Sequence, residues 1–349
     1  MPTSTPTAAS RLFGDTKAHE SLRVQALRGL ACLLLVAFHV IGSKATSGMR
    51  VPDDSIYRHF ADMLLHVRMP LFAFLSGFVY AYRPVMRGAE AAFARKKFFR
   101  LWLPMIAAST VYFLFMLAVP DAQGQMGFAS IWRIYFFPYV HFWFLQAMIV
   151  IFASVALMER FGALATVQRY AVALLVALAM NLLNPLDPDF FFGLQHAIYL
   201  LPFFLLGLGA NRFRQLFLSS AVMWTCTVAF LVTMSLHAQA VLTPDAPLAA
   251  RGTLLATAIS CSGVLTLLYW FPYVRALERI GQYSFTVYLY HALFAAAARK
   301  AVQMTGIQSF EVMFLTCMVA GLFGPVVVEL VAKRIPLARQ LLLGQGQKR

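Results

Sequence analysis

Polar and apolar positions along this chain come in long blocks, not at the short period of an amphipathic strand or surface helix. Mostly apolar runs of about the length a helix needs to cross hydrocarbon, ~20 residues, recur ten times. They cover residues 27-43, 63-82, 98-119, 141-158, 168-184, 190-210, 216-236, 253-272, 283-301 and 312-332. The pattern predicts an all-α integral membrane protein of about ten transmembrane helices, with the first and fifth runs the shortest. The connections are short and no internal repeat is visible. One membrane domain over 27-332 is therefore expected, between an amino-terminal tail (1-26) and a carboxyl-terminal tail (333-349). The polar start carries Arg11, Lys17 and Arg23, and no small-residue cleavage site follows the first apolar run closely. That run reads as a retained first helix instead of a removed signal peptide.

Composition agrees with the pattern. Of 349 residues, 60% are hydrophobic and 12% charged, and the mean hydropathy is +0.71, far more apolar than a soluble domain. The net charge of +15 would suit a nucleic acid, but the cations interrupt apolar runs and form no single basic face. They serve as topology determinants, and no nucleic-acid partner is expected. With the run-end residues Arg100, Arg169, Arg299 and Lys300 counted to the connections they adjoin, 20 of the 29 Lys and Arg lie at the amino terminus, the even-numbered connections and the carboxyl tail, seven lie in the odd-numbered connections, and Arg28 and Arg68 lie within spans. The positive-inside rule then puts both termini in the cytoplasm. The segment 83-100, RPVMRGAEAAFARKKFFR, is the most basic surface. It is an anchor beside anionic lipid, an anion site for a cytoplasmic ligand, or both. The four cysteines fall inside apolar runs without a CxxC pair, so neither a disulfide framework nor a metal site is signalled.

Ionisable groups inside membrane spans cost at least ~2.5 kcal/mol each and are candidates for function. Arg28 and His39 are eleven residues apart, three helical turns, on one face and about 16 Å apart along the axis. Arg28 alone also fits an interfacial snorkelling residue, and His39 alone fits a donor to a neighbouring helix's carbonyl. The second span runs inward through His66 and Arg68, which brings Arg68 toward the depth of His39. His141 opens the fourth run, His196 and Gln195 lie in the sixth, and His291 lies in the ninth; each of these histidines alone suits packing as well as chemistry. Trp143 is most simply an interfacial belt aromatic. The only clearly internal carboxylate is Glu329, close enough in sequence to pair with Lys333. Proton-coupled carriers and metal-dependent sugar transferases ordinarily need buried acids, and no HExxH, GxSxG, Walker or GxGxxG context is present. A near-neutral base with cations for an anion suits acyl transfer from a thioester to a hydroxyl. The rival classes are a carrier or flippase for a lipid-linked or anionic solute, and an accessory membrane subunit.

Seven blocks in order resemble one known family: RGLACLLLVAFH (28-39), MPLFAFLSGF (69-78), KFFRLWLP (97-104), HFWFLQAMIVIF (141-152), LPFFLLGLGANR (201-212), GQYSFTVYLYH (281-291) and KRIPLARQLLLG (333-344). Together they resemble the acyltransferase-3 family, integral-membrane O-acyltransferases best known for decorating bacterial surface and secreted carbohydrates. The family's Arg-x10-His motif falls on Arg28 and His39, and its basic Lys/Arg-x-x-Arg motif on Lys97 and Arg100. The resemblance implies a multi-pass protein of the bacterial inner membrane with an acyl-CoA donor, most commonly acetyl-CoA, and no permanently bound cofactor. His39 is then the catalytic base and Arg28, Lys97 and Arg100 bind the donor's phosphates. Arg68 serves the acceptor side or the charge near His39, with His291, His141 and His196 as secondary candidates. The acceptor implied is an exopolysaccharide or other cell-surface or lipid-linked glycan. Longer members carry an additional esterase-like domain; here the membrane domain is expected to complete transfer alone or with a separate polysaccharide-assembly partner.

Overall fold

The computed structural model describes residues 17–118, 127–244 and 246–345. Among them are sixteen α-helices and no strand: α1 (Lys17–Ile41), α2 (Ile56–Met63), α3 (Arg68–Tyr80), α4 (Glu90–Lys97), α5 (Leu103–Ala118), α6 (Arg133–Phe136), α7 (Trp143–Arg160), α8 (Val167–Leu182), α9 (Leu194–Arg212), α10 (Arg214–Phe217), α11 (Ser220–Leu242), α12 (Leu254–Trp270), α13 (Arg275–Gln282), α14 (Ser284–Met304), α15 (Phe310–Ala332) and α16 (Pro336–Leu343). All ten apolar runs are helical along most of their length. Among the described residues, seven helical stretches are long and apolar enough to cross a membrane, with α2–α3 counted as one and α4–α5 as another. The chain is therefore a multi-pass membrane protein. Helices α8 and α12 have 16 and 17 residues, which at 1.5 Å per residue fall short of a ~30 Å hydrocarbon core. Helix α14 has 21 residues but is not among the seven, since it carries His291, Arg299, Lys300 and several hydroxyls.

Local chemistry sets the helix ends. Ser55, Ser219, Thr253 and Ser309 each accept the backbone N–H three residues on, satisfying a donor that has no partner within its helix. Helix α1 begins ten residues before its apolar run because its polar first turns find partners. Glu20 pairs with Arg214 at 2.5 Å, and Arg23 donates to the carbonyls of Leu268 and Phe271, both at 3.1 Å.

Helix α1 lies at the centre, packed on α3, α13, α14 and α15, while α3 packs closely on α9. Two of these crossings depend on paired glycines. A side chain on Gly77 would strike the Phe204 carbonyl, and one on Gly207 the Phe74 carbonyl. Gly29 meets the Leu277 carbonyl, and Gly281 meets that of Gln25. Lipid tails are as apolar as the side chains, so close backbone approach is the main route to cohesion between such helices. The outer helices turn Val172, Leu175, Leu231 and Val319 outward, as lipid contact requires. Glu329 pairs with Lys333 at 2.7 Å and also accepts the Thr286 hydroxyl.

Candidate active site

The far end of α1 brings three histidines together. Ring centroids are 4.9 Å apart for His39 and His291, 5.8 Å for His39 and His141, and 4.8 Å for His141 and His291. His141 and His291 are buried, at 3% and 0% exposure, whereas His39 is partly exposed and lines a cavity of about 820 Å³.

The two buried rings are fixed by the backbone. His291 Nδ1 lies 2.9 Å from both the Val287 and Tyr288 carbonyls, so it carries the hydrogen and leaves Nε2 with the lone pair. His141 Nε2 lies 3.3 Å from the Leu289 carbonyl, which leaves the lone pair on Nδ1. Neither remaining nitrogen has a hydrogen-bond partner. The His141 carbonyl accepts the Tyr288 hydroxyl. Gln146 donates to the carbonyls of Tyr135 and Phe137 at 3.1 and 3.0 Å, tethering the segment that leads to His141. Val140, just before it, has φ +47°, a left-handed conformation that a β-branched residue adopts only under constraint. Such strain clusters at functional sites.

Arg68 approaches this group from α3. It is 4% exposed, its guanidinium lies 3.5 Å from the centroid of Phe38, and its Nε and Nη1 have no hydrogen-bond partner. A buried guanidinium with two nitrogen donors to spare, beside the residue preceding His39, is equipped to meet developing negative charge.

Three turns back along α1, near its middle, the surroundings are basic. Arg28 and Arg100 are close enough for their charges to interact, as are Lys97 and Arg100. Residues Phe98–Trp102 form a π-helical turn between α4 and α5, a rare geometry found mainly at functional positions. It divides the motif between two openings. Arg100 lines a cavity of about 600 Å³ with Arg95, Lys96, Gln340 and Gly344. Lys97 faces another of about 550 Å³, with Nζ 3.3 Å from the Phe152 ring centroid. The carboxyl-terminal helix α16 packs against α5, which brings Gln340 and Gly344 to Arg100.

The two ends are joined by a pair of parallel helices. Arg100 precedes α5, and Tyr112 near the other end of α5 has its ring 5.9 Å from that of His141. The start of α5 thus adjoins Arg28 and its far part adjoins the histidine triangle. Over the eleven residues from Arg28 to His39 the axial rise is about 16 Å.

Of the residues proposed from sequence, His39, His141 and His291 meet, with Arg68 beside them, and Arg28, Lys97 and Arg100 group about three turns away along α1. His196 stands apart: its ring centroid is 4.2 Å from that of Trp143, which itself lines the His39 cavity. Trp143 is thereby a cavity wall and more than a belt residue. Tyr112, the π-turn and the strained Val140 were missed, because ring contacts between helices and backbone dihedrals leave no mark on hydropathy. The family model described as an acyltransferase domain, Acyl_transf_3, matches residues 22–332. No curated protein and no solved structure matches the chain.

Proposed function

The chain belongs to the acyltransferase-3 family, whose model covers residues 22–332, and from that premise we propose that it moves an acetyl group from acetyl-CoA to a carbohydrate hydroxyl in the bacterial inner membrane. The acceptor is an exopolysaccharide or another cell-surface glycan. Membership in the family makes the protein a membrane acyltransferase, and the carrier reading has no comparable support. The observation that carries the finer reading is the histidine triangle, whose His39 lines the 820 Å³ cavity, three turns along α1 from the basic group.

Arg28, Lys97 and Arg100 hold the donor's phosphates in this reading, and a pantetheine arm is long enough to follow the rise of about 16 Å along α1. The acceptor enters the cavity of His39, whose aromatic walls, Tyr139 and Trp143, and hydroxyl groups, Ser43 and Thr46, suit a sugar. His39 takes the hydroxyl proton as the oxygen attacks the thioester carbonyl. The C–O bond forms, the C–S bond breaks, and the imidazolium returns its proton to the departing thiolate. Arg68 stabilises the oxyanion. The rings of His141 and His291 pack against that of His39 and favour a single imidazolium in the group, since two imidazoliums this close repel.

The experiment is mass spectrometry of surface and secreted glycans from cells with and without the protein. A mass increment of one acetyl group per modified sugar, present only with the protein, is expected. Identical acylation in both would overturn the assignment.

A further inference from the structure

The cavity that His39 lines also carries three cations, Arg50, Arg299 and Lys300, and among the described residues no Asp or Glu lines it. Topology does not account for them. By the charge count Arg50 lies in an odd-numbered connection and Arg299 and Lys300 at the run end that adjoins one, a side that holds only seven of the 29 cations, and membrane insertion keeps that side poor in Lys and Arg. Nearly half of the cations on the disfavoured side thus converge on one cavity. Low-dielectric walls concentrate the field of such a group and raise the local concentration of anions.

One of the cations is held in place by the backbone, and a second is presented by an ordered loop. Arg299 donates from Nη1 to the Gly48 carbonyl at 2.9 Å, pinning the loop after α1 to α14. Within that loop Ser47 Oγ accepts from the backbone N–H groups of Ser43 and Lys44 at 2.9 and 3.0 Å, and the N–H of Met49 reaches the Val40 carbonyl at 2.9 Å. The loop then delivers Arg50 in a left-handed conformation, φ +57°. Arg50 and Val140 are two of the three non-glycine residues with positive φ among those described, and both line this cavity. By contrast Arg58, on the same side, is engaged by Asp53 at 3.4 Å.

We propose that this cavity selects an acceptor bearing a negative charge close to the hydroxyl that is acylated. This rests on the assignment of His39 as the transfer base. The shared chemistry is an anionic oxygen group held by Arg50, Arg299 and Lys300 while a neighbouring sugar hydroxyl faces His39. The charge is either a uronate carboxylate within the glycan or the phosphate of a lipid linker.

The test is calorimetric binding to purified full-length protein in nanodiscs, with three probes: an oligogalacturonate, an uncharged maltooligosaccharide of equal length, and a short-chain isoprenyl diphosphate sugar. At least one charged probe is expected to bind about tenfold or more tighter than the neutral one, as loss of charged hydrogen bonds would imply. High salt should remove most of that preference in the unaltered protein. The double substitution Arg50→Gln/Lys300→Gln, at two exposed positions, should abolish it while acetyl-CoA binding persists. Preference for the oligogalacturonate identifies a carboxylate acceptor, and preference for the isoprenyl compound a lipid-borne phosphate. Equal binding of charged and neutral probes, no binding of any probe, or a preference that survives both salt and substitution would overturn the inference. Acetyl-CoA binding in the same samples reports separately on the acyltransferase reading: its absence from the unaltered protein would strike that reading, whereas loss of charge preference alone would not.

Discussion

At the scale of single residues, the site depends on which nitrogen of each imidazole carries a hydrogen. His291 spends its Nδ1–H on two carbonyls of its own helix, so the ring is locked and its Nε2 keeps an unpartnered lone pair. Replacing it with Phe keeps the packing and removes that lone pair. The H291F enzyme is expected to lose roughly 10- to 100-fold in kcat, the scale of a slightly misplaced base, with KM for acetyl-CoA unchanged in steady-state assays. An unchanged kcat would make the triangle mere packing. Arg68→Gln should likewise lower kcat with little effect on donor affinity, because the guanidinium adjoins Phe38 and His39, not the phosphate end. His39 and Arg28 were legible in the sequence because a polar residue inside an apolar run is costly. The special standing of His141 and His291 over His196 was not: one-dimensional order holds nothing about rings from two helices and the turn before a third, and His196 looked equivalent until its partner proved to be Trp143.

At the scale of elements, α1 and α5 run in the same direction, from the basic group of Arg28 and Arg100 toward the aromatic group of His39 and Tyr112. The π-turn at Phe98–Trp102 aims Lys97 and Arg100 into different openings. Single Ala substitutions at either should raise KM for acetyl-CoA about tenfold, in line with the loss of a charged hydrogen bond, and flatten its salt dependence while sparing kcat. Equal losses in kcat would contradict a role confined to donor binding. The α3–α9 crossing is set by Gly77 and Gly207, each facing a carbonyl of the other helix. Gly77→Val should lower the thermal unfolding midpoint of the detergent-solubilised protein or prevent its folding, whereas Gly88→Ala, where nothing lies within 4 Å of an added Cβ but φ is +85°, should cost only local strain. Helix positions followed from apolar run length, since the membrane imposes one dominant constraint. Helix ends did not follow, as α1 shows: polar turns extend a helix wherever carbonyls and ion-pair partners await them, and those partners lie some two hundred residues away in sequence.

At the scale of the whole molecule, the proposed chemistry requires a donor entrance and an acceptor entrance on opposite sides. In a background with the native cysteines replaced, Ser47→Cys at the His39 cavity should react with a membrane-impermeant maleimide added outside intact cells. Lys96→Cys should react only after the membrane is permeabilised. The reverse pattern would invert the orientation derived from charge counting. Between the two entrances the account places a single reacting residue, and the most direct measurement is made on the His39→Ala protein, purified beside the unaltered enzyme. Acetyl-CoA binding and acetyl transfer to glycan acceptor are measured on the same preparations. The account predicts donor affinity within a factor of about two, because the phosphate contacts lie three turns away, and a loss of transfer of about 10²- to 10⁴-fold, the contribution of a general base. Transfer at the unaltered rate by a protein lacking the His39 imidazole would contradict it.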